Sequence, residues 1–270
     1  MLSTFLSHQR KSFWRSRNKG GSIATQIVLG FFILYFVGIA LVIGFGMPFL
    51  LPKVFKDQDP LKMFNGIILY YFAFDFLLRL QLQELPTLSI VPYLHLKIPK
   101  DKIIGFLNVK ALFSAFNLLP LFIFLPFCII RISGAYGIFA MSMYIISILS
   151  IMMFSNYCVL YIKRKSITNI LYTVMGLAVI ALFAALEYYK VISIMAGSHY
   201  VFSQVAAHPY YGLLFSLIAW LMFRLNSDYL RKNLYIEELS SRQEKKASTD
   251  YPFLNRFGRV GELAALELKL

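Results

Sequence analysis

Six long apolar runs separated by short polar segments dominate the chain, at residues 23–51, 65–83, 103–128, 134–162, 168–189 and 209–226. Each run is continuous rather than alternating, which predicts helices and not barrel strands. About 20 helical residues cross the hydrocarbon of a bilayer, so the first, third and fourth runs are long enough to tilt or to enter the interface. The pattern therefore predicts an all-α polytopic membrane helix bundle of six transmembrane helices. It divides into a basic amphipathic elbow over 1–22, a six-span domain over 23–226 and a polar cytoplasmic tail over 227–270. In the tail, Glu237, Glu238, Arg242, Glu244 and Lys245 suit intrahelical charge pairs.

Lysine and arginine placement sets the orientation. With the N-terminus inside, cytoplasmic segments hold Arg10, Lys11, Arg15, Arg17 and Lys19, then Lys97, Lys100 and Lys102, then Lys163, Arg164 and Lys165. The tail adds Arg231, Lys232, Arg242, Lys245, Lys246, Arg256, Arg259 and Lys269, whereas the outer loops hold only Lys53, Lys56, Lys62, Arg131 and Lys190. The positive-inside rule then places both termini in the cytoplasm. The first run is too long for a signal-peptide core of about 7–15 residues, so it is expected to remain as a span. Tyr188, Tyr189, Tyr210 and Tyr211 bracket the last outer loop as an aromatic belt would, and Met195 to His208 is expected to form a short interfacial helix.

Composition narrows the classes further. Of the 270 residues 59% are hydrophobic and 15% charged, against about 45–50% and about 25% in soluble domains. This excludes a disordered chain and a disulfide scaffold. The net charge of +14 flanks apolar runs rather than forming one stripe, which points to an anionic leaflet and not to nucleic acid. Cys128 and Cys158 both lie in apolar runs and read as packing residues. No Gly-x-x-x-x-Gly-Lys-Ser/Thr stretch is present, so any ATP use must come from another subunit. Glu237-Glu238-Leu239-Ser240-Ser241-Arg242 matches an intramembrane-protease pattern but lies in the polar tail. His8, His95, His199 and His208 are too scattered to hold a metal-activated water. No cofactor, metal site or catalytic constellation is expected, and the chain does not read as an enzyme.

Polar residues inside the runs are the first candidates for function. Asp75 and Arg79, four residues apart, share one face of the second span within pairing distance. Asp75 falls near mid-membrane, and Arg79 is placed to snorkel toward the cytoplasm. Ionisable residues at that depth are functional candidates, with a structural pair facing a neighbouring helix as the other reading. In the third run, Asn117 suits a hydrogen bond across helices, Pro120 frees one backbone carbonyl and is expected to kink the helix, and Lys110 and Pro126 add to its irregularity. Glu187 and Lys190 read as a surface pair.

Two cytoplasmic segments complete the set. Phe5, Leu6, Phe13 and Trp14 alternate with Arg10, Lys11, Arg15 and Arg17, giving an interfacial helix that either anchors the first span or also docks a partner. The loop from Glu84 to Lys102 contains three prolines and is unusually apolar, and Thr87 to Leu96 suits a short helix across the membrane face. Such a piece either transmits force as a rigid body or is an ordinary packed loop.

The elbow, the six spans and the loop ending Leu94-His95-Leu96-Lys97-Ile98-Pro99-Lys100-Asp101-Lys102-Ile103-Ile104 resemble ABC-2 type exporter permeases. His8-Gln9 followed by Phe13-Trp14-Arg15-Ser16-Arg17-Asn18-Lys19-Gly20 looks like the start of an uncharacterised bacterial membrane-protein family of this permease character, whose members are longer. The resemblance implies a multi-pass protein of the bacterial inner membrane that exports its cargo with a separate ABC ATPase subunit. It implies a coupling element in the first cytoplasmic loop, at Pro92, Tyr93, Leu94, His95, Pro99, Lys100, Asp101 and Lys102. It also implies completion by a second permease half, either a homodimer or a continuation beyond Gly261 to Leu270, which would open a second elbow. Other readings of the same residues are a non-transport scaffold or assembly protein and a lipid-modifying enzyme with an unrecognised site. None of these residues names a substrate.

Overall fold

Asp59-Pro60 opens a helix in the way helix N-termini favour. The Asp59 carboxylate accepts the Leu61 amide at 3.0 Å, and Pro60 takes the first position, where a missing N–H costs nothing. The computed structural model describes residues 7, 11, 19–54, 59–86 and 99–247, with the backbone alone for 19–26, 29, 115 and 234–247. The helices are α1 (Lys19–Val54), α2 (Pro60–Leu82), α3 (Lys100–Leu112), α4 (Ala115–Phe127), α5 (Ser133–Thr168), α6 (Leu171–Tyr188), α7 (Ile194–Ala207) and α8 (Gly212–Ala247). A π-turn at Cys128–Ile132 joins α4 to α5, and a 3-10 turn at Pro209–Tyr211 joins α7 to α8. No strand occurs among the described residues.

Four stretches are long and apolar enough to cross a membrane: Gly30–Val54, Pro60–Leu82, Phe116–Thr168 and Leu171–Tyr188. A fifth exists if Ile194–Ala207 and Pro209–Asn233, bent by 118°, count as one. The expected third and fourth runs thus merge into one apolar stretch of 53 residues. It is not straight. At Gly137 the backbone adopts φ +85°, ψ 171°, a conformation essentially reserved for glycine. Beyond it the chain folds back, so that Pro120, Phe124 and Cys128 line one small cavity with Ile145 and Ile148. The third run is also divided where no break was expected. Helix α3 stops at Leu112 and α4 starts at Ala115, whereas Pro120 stays inside α4.

Side-chain pairs fix the direction of each helix. Helix α2 runs parallel to α5, through Tyr144 to Asn65 (2.7 Å) at one end and Asn156 to Gln83 (2.7 Å) at the other. Helix α5 runs parallel to α8, through Ser150–Ser216, Tyr157–Phe223 and Tyr161–Tyr229. Helix α4 is antiparallel to α2, meeting Phe64 through Phe127 and Arg79 through Asn117. Helix α1 runs beside α4, and α6 runs opposite to α2, with Gly176 near Leu80 and Glu187 at Tyr70. The core is aromatic where these helices converge: Phe64 stacks on Phe127 at 3.7 Å and meets Phe124 edge-on at 5.7 Å.

Helix α7 forms where a short helix was expected and turns Ser198, Phe202, Val205 and Ala206 into the core. Two elements differ from expectation. Lys163, Arg164 and Lys165 belong to the last turns of α5 and not to a loop. The polar tail from 227 to 247 is the continuation of α8 and not a separate segment. Helix α6 buries no residue.

A Cβ at Gly44 would collide with the Phe122 carbonyl and lie 2.9 Å from that of Ile123, whereas one at Gly38 meets nothing within 4 Å. Gly44→Ala is expected to destabilise the solubilised chain by about 1–3 kcal/mol through overpacking against backbone. Gly38→Ala, six residues earlier on the same helix, is expected to leave stability unchanged or raise it by up to ~1 kcal/mol. Thermal unfolding in detergent compares the two, and equal shifts would contradict the close approach of α1 and α4.

Candidate functional site

Proline in a buried helix leaves the carbonyl four residues earlier without its N–H partner. In α4 that proline is Pro120 and the freed carbonyl belongs to Phe116. Arg79 of α2 answers it: Nη2 donates to the Phe116 oxygen at 2.7 Å. The same guanidinium donates through Nε to Asp75 Oδ2 at 2.6 Å and through Nη1 to Asn117 Oδ1 at 2.8 Å. Two longer contacts of 3.5 Å run from Nη1 to Gln83 Oε1 and Asn156 Oδ1. The Phe116 ring lies 5.6 Å from the guanidinium carbon. Arg79 is wholly buried and Asp75 is 4% exposed. A guanidinium with its fixed fork of donors can meet three such acceptors at once, which an ammonium cannot.

Asn117 works in two directions. Its Oδ1 accepts from Arg79, while its Nδ2 donates to the Leu112 oxygen at 2.9 Å and the Ala111 oxygen at 3.3 Å. These are C-terminal carbonyls of α3, orphaned by the break at Phe113–Ser114. Gln83 donates to Asn156 at 2.7 Å, Ser155 faces Asp75 Oδ2 at 3.5 Å, and Lys163 Nζ donates to the Gln83 backbone oxygen. One guanidinium therefore ties together α2, α4, α5 and the end of α3.

A second buried node joins the C-terminal part of α5 to α8 and α3. Arg164, 1% exposed, donates to Asn226 Oδ1 of α8. Asn226 Nδ2 donates to Asn108 Oδ1 of α3 at 3.1 Å, and Asn108 Nδ2 donates to Ser227 at 2.8 Å. On the surface, Arg231 of α8 pairs with Asp101 of α3 at 2.7 Å. Helix α3 is thus held to α8 by side chains at both of its turns that face it, and to the Arg79 node by its last carbonyls.

The structure brings Asp75, Arg79 and Asn117 together in one network. It also corrects the expected geometry of Arg79, whose side chain turns inward to five acceptors instead of snorkelling, because the freed carbonyl and the carboxylate hold it. Pro99 precedes α3, and Lys100, Asp101 and Lys102 form its first turn. Pro92, Tyr93, Leu94 and His95 lie outside the described residues, as does nearly all of the elbow. Glu187 accepts the Tyr70 hydroxyl, and Cys128 is buried while Cys158 is half-buried. Sequence reading missed Gln83, Asn108, Asn156, Arg164 and Asn226. Gln83 continues the four-residue spacing of Asp75 and Arg79 and was legible in principle. Arg164 sat in a basic run and carried no such sign. Among the described residues no group of three or more His, Cys, Asp or Glu is placed to hold a metal. The carboxylate and guanidinium pair within α2, and the remaining donors of Arg79 join that helix to α4 and α5.

The family model that matches the chain, over residues 9–270, is described as a family of unknown function (DUF5687). No curated protein and no solved structure matches.

Breaking the pair should cost more than removing it. Arg79→Leu leaves Asp75 buried and unpaired and is expected to destabilise the chain by about 3–5 kcal/mol. Asp75→Leu with Arg79→Leu together should lose less than Arg79→Leu alone. Arg79→Lys should fail to restore wild-type stability, since one ammonium cannot span Asp75, Asn117 and the Phe116 carbonyl. Denaturation of the four proteins in the same detergent tests this, and a larger loss in the double variant than in Arg79→Leu would contradict the coupling.

Proposed function

The chain belongs to the DUF5687 family, and we propose that it is the membrane-spanning permease component of an ATP-driven, ABC-2 type exporter of the bacterial inner membrane, powered by a separate ATPase subunit. Helices α1, α3–α4 and α6 run opposite to α2, α5 and α8. Read as six crossings, this alternation is compatible with both termini on one side, and the lysine and arginine distribution supports the cytoplasmic one. The stretch Phe116–Thr168 supports two of the six. At about 1.5 Å per residue it is roughly 80 Å long, well beyond the ~30 Å hydrocarbon, and it reverses at Gly137. Such a half requires a second, either another copy or a further six-span segment.

The observation that carries this reading is the chain of hydrogen bonds from α3 to Arg79. Helix α3 begins where the first cytoplasmic loop ends, at Pro99-Lys100-Asp101-Lys102. Its last carbonyls bind Asn117, which binds the guanidinium at the junction of α2, α4 and α5. A push on the loop from a docked ATPase would move α3 as a rigid piece about the Phe113–Ser114 break and reach the intramembrane junction through Asn117. ATP-driven closure of the ATPases would then bias the bundle between inward-open and outward-open arrangements.

Purification in mild detergent is expected to recover a nucleotide-binding subunit with ATPase activity; a preparation with neither would remove the exporter reading. In that complex Asn117→Leu should leave membrane insertion and ATPase binding intact and lower transport at least tenfold. Equal loss of assembly and of transport would leave Asn117 a purely structural residue.

A further inference from the structure

We propose that the cleft between α2 and α7 is a binding site for a membrane phospholipid with an anionic headgroup, one acyl chain lying on its apolar wall and the phosphate at Lys62. The cleft encloses about 610 Å³ and is lined by Lys62, Met63, Ile67, Met195, Ala196 and His199, with Ser193 at its edge. Its walls are apolar: Met63 and Ile67 on one side, Met195 and Ala196 on the other. Its polar groups favour an anion. Lys62, in the first turn of α2, supplies an ammonium at the cleft. His199 adds an imidazole whose buried Nδ1 has no hydrogen-bond partner among the described residues. The acids nearby are already engaged: Asp59 caps α2 through the Leu61 amide, and Glu187 takes the Tyr70 hydroxyl.

The cleft is built rather than incidental. Gly66 lets Met195 approach so closely that a Cβ there would lie 2.9 Å from Met195 Cγ. Ser198, one residue before His199, is pinned to α2 by the Asn65 oxygen and by the Leu69 amide at 3.3 Å. The spacing of the two walls is thereby fixed along the turns that follow Lys62, and the site is preformed for one chain. An apolar channel that ends at a cation fits an amphiphile better than either a fully apolar ligand or a free small anion. The reading does not depend on the exporter assignment, only on the chain residing in a bilayer.

The full chain in a neutral detergent can be titrated with dilauroyl phosphatidylglycerol and followed by native mass spectrometry, with dilauroyl phosphatidylcholine as the comparison. One phosphatidylglycerol should bind saturably, at least tenfold tighter than phosphatidylcholine. Lys62→Glu should abolish that preference, while Lys53→Glu, an exposed lysine at the end of α1, should preserve it. Met195→Trp, which fills the cleft, should weaken both lipids. Equal binding of the two lipids by the native chain would overturn the proposal. So would an unchanged preference in Lys62→Glu, or displacement of the lipid by millimolar inorganic phosphate alone.

Discussion

A helix bundle that excludes water can leave no backbone carbonyl without a donor, and prolines in this chain break that requirement repeatedly. Pro120 frees the Phe116 oxygen and Arg79 supplies the missing hydrogen bond. Pro52 frees the Pro48 oxygen in α1, and Arg131 supplies it at 2.7 Å. Pro126 frees the Phe122 oxygen, against which α1 lays Gly44. Pro120 and Pro52 thus each create a polar spot that an arginine from elsewhere in the bundle meets, and at Pro126 the freed oxygen lies against a glycine of α1. Helix pairing here is specified less by generic apolar contact, which lipid tails offer equally well, than by these local defects and their partners.

Arg79 is tolerated at full burial because its surroundings are arranged around it. A carboxylate, an amide oxygen and a main-chain oxygen all lie within 2.8 Å, and an aromatic ring covers one side. Three of its partners come from elements that do not follow one another in sequence, so the guanidinium sets the relative positions of α2, α4 and α5. Asn117 extends this control to α3. The second arginine, Arg164, does the same for α5, α8 and α3 through Asn226 and Asn108. Helices α3 and α5 therefore both touch the two nodes, and a displacement at one would reach the other through them.

Much of the architecture was legible in the residues. Continuous apolar runs announce helices, Asp59-Pro60 announces the start of α2, and Asp75 and Arg79 announce a pair by their spacing. Asn117 stood out as an amide in an apolar run, and Pro120 as the source of a free carbonyl, yet nothing local joined either to Arg79, 38 residues from Asn117. The break at Phe113–Ser114 had no glycine or proline to mark it. The reversal at Gly137 was read a few residues early, because the polar hint at Arg131 and Ser133 precedes the glycine that makes the turn. The inward face of helix α7 was not legible, because its tyrosine-rich flanks draw attention first, while the small residues Ser198 and Ala206 lie on the face it buries.

The parallel course of α5 and α8 has a consequence for how the chain is made. Arg164 emerges from the ribosome 62 residues before Asn226, the side chain that receives it. Until α8 has formed alongside α5, the Arg164 guanidinium lacks the amide oxygen that receives it. Completion of this node therefore waits on a residue made well after the helix it closes.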